Sequence, residues 1–175
     1  IVVCDPLYYP YFETIDGVKL CFASPGLRRQ DSVYNGFKEV SENAELVLIH
    51  DGARPFLNKN FVLEAISQAA IYGAATLATP IKFTVKEASV DGFIKKTLNR
   101  SSLFEIQTPQ IIKRELLARG FALANQTNLE VTDDVSLVEC LQLPVKLVMS
   151  SYQNIKITTQ EDLAHAEMIL DMLHE

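Results

Sequence analysis

The 175-residue sequence lacks several features that mark common classes of protein. No apolar run approaches the roughly 18–20 residues that a membrane-spanning helix needs, so we expect no membrane partner. Basic residues are not in excess, because 16 lysines and arginines against 22 acidic residues give a formal net charge of −6. Since nucleic acids bind to basic surfaces, we expect no nucleic acid as the main partner. A small phosphorylated ligand is compatible with this charge, because it needs only a few well-placed cations.

Cysteine is also scarce. The three cysteines have apolar neighbours, and none shows CxxC or zinc-type spacing. This usage favours reduced core thiols in a cytosolic protein. Repeats, linkers and low-complexity stretches are lacking as well. With 48% hydrophobic residues, the sequence is typical of one folded domain over residues 1–175 with one substantial core.

The sequence does contain an apolar pattern whose period switches between two and about 3.6 residues. The shorter period predicts strands at residues 1–4, 18–23, 46–49, 74–80 and 145–149. The longer period predicts helices at residues 8–12, 29–40, 60–72, 113–124 and 133–141 and from residue 158 onwards. Because residues 46–49 are apolar throughout, we expect a central parallel strand covered on both faces. The alternation indicates a three-layer α/β domain with a mainly parallel sheet, whose ligands lie beyond the C-terminal strand ends.

Residues 83–98 do not fit this alternation. Asp91 and Gly92 lie between two β-forming segments, which predicts a hairpin. An isolated two-stranded hairpin is marginally stable in water, so it should pack on something outside the main sheet. A partner subunit of a dimer is the natural candidate.

The segment from Gly26 to Ser32 joins a predicted strand to a predicted helix. A glycine turn before a helix N-terminus presents N–H groups that favour an anion or a polar ring edge. Arg29 and Ser32 would add directed donors. An ordinary strand-to-helix turn explains the same residues.

Asp51 follows the most apolar strand, within the run HDGARP at residues 50–55. A carboxylate there suits Mg²⁺, which prefers one or two carboxylates together with substrate phosphates. Arg54 has the planar fork that binds phosphate. A structural Asp–Arg pair in a loop is the alternative.

Three further segments carry polar or cationic side chains. Arg100 lies at the foot of the hairpin, Thr108 ends a predicted strand before a helix, and Lys156 lies opposite its isoleucine neighbours on a strand. A lone strand lysine is usually solvated, so Lys156 by itself indicates little. Asp133 and Asp134 are typical of a helix N-cap with an acidic first turn, which is a structural role.

The order and spacing of these motifs are more specific than any one of them. The motifs are RQxSVxNG at 29–36, HDGARPF at 50–56, QTPQ at 107–110, TDD at 132–134 and NIKITTxEDL at 154–163. Together they closely resemble the methylerythritol phosphate cytidylyltransferases of the non-mevalonate isoprenoid pathway, over nearly the whole chain. The resemblance implies a Rossmann-like nucleotidyltransferase fold with a protruding β-hairpin arm at about residues 83–99.

That family forms 4-diphosphocytidyl-2-C-methyl-D-erythritol and pyrophosphate from CTP and 2-C-methyl-D-erythritol 4-phosphate with Mg²⁺. By position, the resemblance implies that Gly26, Arg29 and Ser32 hold the cytidine end of the nucleotide. It implies that Asp51 and Lys156 are the catalytic residues, with Asp51 near both nucleotide and metal. The implied substrate-binding residues are Arg54, Thr84, Arg100, Thr108 and Lys156. Thr84 and Arg100 lie on the arm, which in this family reaches into the partner's site of a homodimer. The implied location is the cytoplasm, or the plastid stroma in a plant or alga.

The sequence departs from the family at its start. The family opens with a strand, a glycine-rich loop that bears an Arg, and a nearby Pro-Lys, which together grip the triphosphate. This sequence begins at Ile1, without a methionine, where the second strand of the family is expected. We therefore expect a fragment or a processed form that is inactive alone.

Two alternative functions stay open. Ribitol-5-phosphate cytidylyltransferases share the fold, CTP and the arm, and typically have Val where this chain has Ala53. The other alternative is a non-catalytic dimerisation or binding module, because the loop that grips the triphosphate is not in the sequence.

Overall fold

The computed structural model describes residues 1–12, 16–17 and 19–174, so residue 18, where the second predicted strand begins, lies outside the described residues. The strands are β1 (Val2–Val3), β2 (Phe22–Ala23), β3 (Leu46–Ile49), β4 (Ala74–Pro80), β5 (Lys86–Ala88), β6 (Ile94–Thr97), β7 (Phe104–Lys113) and β8 (Lys146–Met149). The α-helices are α1 (Arg29–Lys38), α2 (Lys59–Tyr72), α3 (Arg114–Thr127), α4 (Ser136–Glu139) and α5 (Gln160–His174). Two 3₁₀-helices cover Pro6–Phe12 and Arg100–Ser102.

Four strands form the main sheet in the order β3–β7–β4–β8. β8 is parallel to β4, whereas β7 is antiparallel to both β3 and β4. β3, β4 and β8 therefore run in one direction, and β7 runs against them. The C-terminal ends of these three strands lie at one edge of the sheet, and the segments that follow them can meet there.

The main sheet is covered by helices on both faces. Alternate residues of a strand point to opposite faces, and the two central strands follow this rule. Ala74 and Ile112 pack against the side of α1, α3 and α4, whereas Ala75 and Ile111 pack against the side of α2. This arrangement confirms the predicted three-layer α/β fold. In the described part of the chain, no helix is long and apolar enough to cross a membrane.

Two predictions about individual strands are wrong. Among the described residues, β3 lies at the edge of the main sheet and not at its centre. Its outer edge borders a cleft, so Leu48 is 43% exposed. Thr108 does not end a strand, since β7 continues to Lys113 and lies between β3 and β4. Gln107, Thr108 and Gln110 of β7 are buried, and their side chains form hydrogen bonds inside the protein.

The cleft next to β3 separates the main sheet from a second, two-stranded sheet. β1 and β2 pair in parallel in this second sheet. The cleft between β1 and β3 has a volume of about 610 Å³. Apolar side chains of both strands line it, together with the polar side chains Arg29, Ser32 and Asp51.

β5 and β6 form the predicted hairpin, which we call the arm (residues 83–99). Gly92 in its turn has φ +85°, a conformation that glycine adopts readily. Four large apolar side chains of the arm are exposed: Phe83, Val90, Phe93 and Ile94. The arm thus lies outside the layers that form the core.

Candidate active site

The turn after β3, at residues 50–54, is bonded to the segment after β8. The Arg54 N–H donates to the backbone carbonyl of Asp51 at 3.0 Å and closes the turn. Nη1 of Arg54 donates to the backbone carbonyl of Asn154 at 2.6 Å. The N–H of Ile157 donates to the carbonyl of Ala53 at 2.8 Å. These bonds hold the turn against the segment that carries Lys156.

The carboxylate of Asp51 is surrounded by three cations. Oδ1 accepts from Nη2 and Nε of Arg29, at 3.2 and 3.3 Å. Oδ2 lies 3.1 Å from Nζ of Lys156 and 3.6 Å from Nε of Arg54. We call these four residues the Asp51 cluster. The fold therefore brings together four of the predicted site residues, from α1, the turn after β3 and the segment after β8.

The Asp51 cluster has an excess of positive charge in a partly buried place. The exposed fraction is 14% for the Asp51 side chain, 13% for Arg54 and 41% for Lys156. Burial raises the pKa of Asp51, but the hydrogen bond from Lys156 and the charge of Arg29 outweigh burial, so this pKa lies below its ordinary value. Burial lowers the pKa of Arg54, and Asp51 offsets only part of that effect. Three cations around one carboxylate suit an anionic ligand such as a phosphate.

Asp134 holds Arg29 from the protein interior. Nη1 and Nη2 of Arg29 donate to Oδ1 and Oδ2 of Asp134, at 2.9 and 2.7 Å. Burial lowers the pKa of Arg29, but Asp134 and Asp51 raise it by more. Burial raises the pKa of Asp134, and Arg29 offsets part of that rise. Only 3% of the Asp134 side chain is exposed, so this carboxylate acts through Arg29 and not on a ligand directly.

Gln110 links Asp134 to β7. Its Oε1 accepts from the N–H groups of Asp134 and Val135, at 2.8 and 3.0 Å. Its Nε2 donates to Oδ2 of Asp133 at 3.1 Å. The side chain is 1% exposed. Gln110 therefore fixes the backbone from which Asp134 reaches Arg29.

Gly26 and Ser32 are joined at the start of α1. Oγ of Ser32 accepts from the Gly26 N–H at 2.9 Å and donates to the backbone carbonyl of Arg28 at 3.2 Å. A Cβ at position 26 would lie 2.3 Å from Cβ of Asp31, so the close approach requires glycine. Both residues are thereby placed beside Arg29. Their binding of a nucleotide stays a prediction.

The remaining predicted site residues differ in their relation to the Asp51 cluster. Oγ1 of Thr108 accepts from the N–H of Asp51 at 3.0 Å, so Thr108 lies directly beneath the cluster. Thr84 and Arg100 are exposed on the arm and at its foot, where Arg100 donates to the carbonyl of Lys82 at 2.8 Å. Among the described residues, no hydrogen bond or ion pair joins either of them to the cluster. Their contact with a partner's site stays a prediction.

Comparisons with known proteins identify the family. The family described as IspD, 2-C-methyl-D-erythritol 4-phosphate cytidylyltransferase, matches residues 1–172. A relative from Oryza sativa subsp. japonica, named 2-C-methyl-D-erythritol 4-phosphate cytidylyltransferase, chloroplastic, is 47% identical over 174 residues, which are 98% of this chain and 59% of the relative. A 2-C-methyl-D-erythritol 4-phosphate cytidylyltransferase from Pelotomaculum thermopropionicum is 48% identical over 145 residues, which are 83% of this chain and 61% of the relative.

This chain belongs to the 2-C-methyl-D-erythritol 4-phosphate cytidylyltransferase family. The crystal structure of 4-diphosphocytidyl-2C-methyl-D-erythritol synthase from Anaerococcus prevotii has a TM-score of 0.81 and 35% identity, covering 86% of this chain and 67% of the other. The Thermus thermophilus 2-C-methyl-D-erythritol 4-phosphate cytidylyltransferase has a TM-score of 0.77 and 32% identity, covering 88% and 77%. The predicted fold class is thereby confirmed. The chain spans about three fifths of the length of the curated relatives described above.

Sequence reasoning missed the link from Gln110 through Asp134 to Arg29 of the Asp51 cluster. Asp133 accepts from the N–H of Ser136, the first residue of α4, at 3.1 Å, although the N-cap residue of this helix is Val135. Its neighbour Asp134 binds Arg29. The available signal was the polar Gln110 immediately before two isoleucines in a strand. A polar side chain in such a run needs a partner, which the sequence does not identify.

A metal ion at Asp51 would find few protein ligands. Among the described residues, no group of three His, Cys, Asp or Glu side chains is placed to hold one. Both oxygens of Asp51 already contact cations. Mg²⁺ needs only one or two carboxylates when phosphates supply further oxygens. The site therefore fits Mg²⁺ only in company with a phosphorylated ligand.

Proposed function

We propose that the full-length protein containing this chain forms 4-diphosphocytidyl-2-C-methyl-D-erythritol and pyrophosphate from CTP and 2-C-methyl-D-erythritol 4-phosphate. The observation that carries this proposal is the Asp51 cluster. Its three cations, for which the family resemblance implies separate contacts with nucleotide and substrate, converge on one carboxylate. Such a centre suits a reaction between two phosphorylated molecules.

The barrier of this reaction comes largely from bringing two anions together. A phosphate oxygen of methylerythritol phosphate attacks the α-phosphorus of CTP. As this P–O bond forms, the bond from the α-phosphorus to the bridging oxygen breaks, and pyrophosphate leaves with the electron pair. The protein contributes by positioning the reactants and offsetting their charge.

Each residue of the Asp51 cluster has a distinct place in this proposal. Lys156 is the most exposed and has a flexible side chain, so it can turn from Asp51 towards the phosphate. Arg54 is held by Asn154 and offers a fixed contact to the substrate. Arg29 is held by Asp134 and contacts the nucleotide. Gly26 and Ser32 would hold the cytidine end, and Thr84, Arg100 and Thr108 the second substrate.

Mg²⁺ completes the proposed site. Asp51 is the carboxylate of the cluster, so it would hold the ion together with phosphate oxygens of CTP. When bound, Mg²⁺ neutralises phosphate charge. The positive charges of Arg29 and Lys156 disfavour a metal at Asp51 until an anionic nucleotide arrives.

The arm is proposed to form a homodimer. Phe83, Val90, Phe93 and Ile94 expose apolar surface on a hairpin that lies outside the core. Contiguous exposed apolar surface marks interaction sites. In the proposed dimer, Thr84 and Arg100 would reach the site of the partner. The rice relative is named chloroplastic, and we propose the cytoplasm or the plastid stroma as the location.

A substrate comparison tests the proposed function. The full-length protein would be supplied with CTP, Mg²⁺ and either methylerythritol phosphate or ribitol 5-phosphate, and pyrophosphate release would be measured. We expect methylerythritol phosphate to be preferred. A preference for ribitol 5-phosphate would overturn this choice. The absence of turnover with both sugar phosphates would favour the non-catalytic module.

A further inference from the structure

His50, the residue before Asp51, has both ring nitrogens engaged in the site. Nε2 lies 2.9 Å from the backbone carbonyl oxygen of Arg54. Nδ1 lies 3.0 Å from Oγ1 of Thr108, the same oxygen that accepts from the N–H of Asp51 at 3.0 Å. The hydrogen bonds therefore run continuously from the backbone of Asp51, through Thr108 and the His50 ring, to the backbone of Arg54.

The chemistry of the end groups sets the direction of these bonds. A backbone carbonyl only accepts, so Nε2 of His50 carries the proton that is donated to Arg54. In the neutral ring Nδ1 is then the acceptor. The hydroxyl of Thr108 must be the donor to Nδ1, while its oxygen accepts from Asp51. Donors and acceptors match at every step.

Packing alone does not hold the turn that these bonds close. Gly52, at its tip, is exposed, and a Cβ added there would meet no atom within 4 Å. Thr108, by contrast, lies in the buried middle of β7 and is 4% exposed. The His50 ring thus connects a turn with an exposed tip to a buried strand. Such a connection matters, because a misplacement of about 1 Å costs an enzyme about 100-fold in rate.

We propose that His50 is a positioning residue, which fixes the turn through its Nε2–H tautomer so that Asp51 and Arg54 point into the site. This inference rests on the proposed function. It also gives Thr108 a second, supporting role, because its hydroxyl proton is donated to His50. The proposed contact of Thr108 with the second substrate would then use its oxygen as the acceptor. His50 itself would contact no substrate, because both of its ring nitrogens are bonded to protein atoms.

Substitutions that mimic one ring nitrogen at a time test the inference in the full-length protein. H50N keeps a hydrogen-bonding atom at the δ position, H50Q keeps a donor at the ε position, and H50A keeps neither. For kcat/KM of pyrophosphate release we expect a loss of about 100-fold for H50A and about 10-fold for each mimic. H165N, at an exposed histidine of α5, is the matched control and should leave the rate unchanged.

Variants of Thr108 test the same bonds from the other side. T108S keeps the hydroxyl and should retain most of the activity, whereas T108V should lose at least as much as H50A. Because both residues act in one series of bonds, the double variant H50A/T108V should be no slower than T108V. Independent, additive losses would overturn the inference, and so would a normal rate for H50A.

The ring tautomer gives a readout that does not depend on turnover. Nitrogen-15 NMR of the three histidines, with H50N used for assignment, should show His50 protonated at Nε2. T108V should shift the Nδ1 signal as its hydrogen bond is lost. A ring protonated at Nδ1, or an Nδ1 signal that T108V leaves in place, overturns the inference even in an active enzyme. An inactive wild-type protein with the expected ring signals instead overturns the proposed function, and with it the catalytic use of this geometry.

Discussion

The Asp51 cluster and the arm are built in opposite ways. Around Asp51, side chains form hydrogen bonds to residues far away in the sequence: Arg29 to Asp134, and Arg54 to Asn154. In the arm, the two strands bond to each other, and the salt bridge between Glu87 and Lys96 lies in solvent. The site is thus set before a ligand arrives, whereas the arm still exposes the apolar surface that would form an interface.

This difference indicates a division of labour between charge and hydrophobic contact. Charged groups catalyse best when they are held in place beforehand, because they then need not reorganise during the reaction. Their supports, Asp134 and Gln110, are accordingly buried. An interface, by contrast, gains free energy when exposed apolar surface becomes buried.

Removing the carboxylate of Asp51 should have the largest effect. In D51A, the cations of the cluster lose their common partner and repel one another, and the nucleotide loses a positioned contact. We expect pyrophosphate release by the full-length protein to fall by at least about 100-fold. D171A, at an exposed residue of α5, is the control and should retain the wild-type rate. A rate within about threefold of wild type for D51A would show that the cluster is structural.

The buried support of the site should matter more for stability than the exposed salt bridge of the arm. Q110M keeps the shape of the side chain but leaves the N–H groups of Asp134 and Val135 without an acceptor. We expect the free energy of unfolding in urea to fall by about 2 kcal/mol. E87Q in the arm should change it by less than about 1 kcal/mol, because its partner Lys96 is exposed. Equal effects of the two variants would remove the distinction between site and arm.

The apolar surface of the arm should matter for association and not for folding. Phe93 is 73% exposed, so F93S loses little within one protomer but would lose buried area in a dimer. We expect the dimer dissociation constant, measured by sedimentation equilibrium, to rise by at least about 10-fold. M168S, at an exposed apolar residue of α5, is the matched control. A wild-type protein that is monomeric at high concentration would contradict the proposed dimer directly.

Sequence patterns predicted the elements and site residues that depend on residues close together in the sequence. β4 was predicted with its observed bounds, because residues 74–80 form a short and mainly apolar segment after a helix. The motifs identified Arg29, Asp51, Arg54 and Lys156. The convergence of Asp51 and Lys156 follows from a general rule, since the segments after β3 and β8 begin at the same edge of the sheet.

Long-range pairing could not be predicted in the same way. The apolar run of β3 indicates burial, but it does not specify which neighbours the strand has. β7 carries polar residues at positions that are buried, so its pattern resembles the end of a strand more than the middle of a sheet. The contact between Arg29 and Asp134 joins residues 105 positions apart, which no local period reveals. These three features depend on the assembled fold.

The smallest expected effect concerns the response of the Asp51 cluster to acid. The pKa of Asp51 lies below its ordinary value, with burial opposed by Lys156 and Arg29. The stabilisation from its charged form is therefore fully present above the ordinary carboxyl range and is lost as the pH falls from that range through the lowered value. K156Q removes one of the groups that lower this pKa, so the stability lost on acidification should be smaller, and the loss should be complete at a higher pH. Urea unfolding between about pH 3 and 6 measures this difference. K95Q, at an exposed lysine of the arm, should leave the profile in place, because the arm contributes no comparable buried charge. If wild type and K156Q gave the same profile, Lys156 would not lower the pKa of Asp51. The salt bridge between Lys156 and Asp51 would then contribute as little to stability as the exposed salt bridge of the arm.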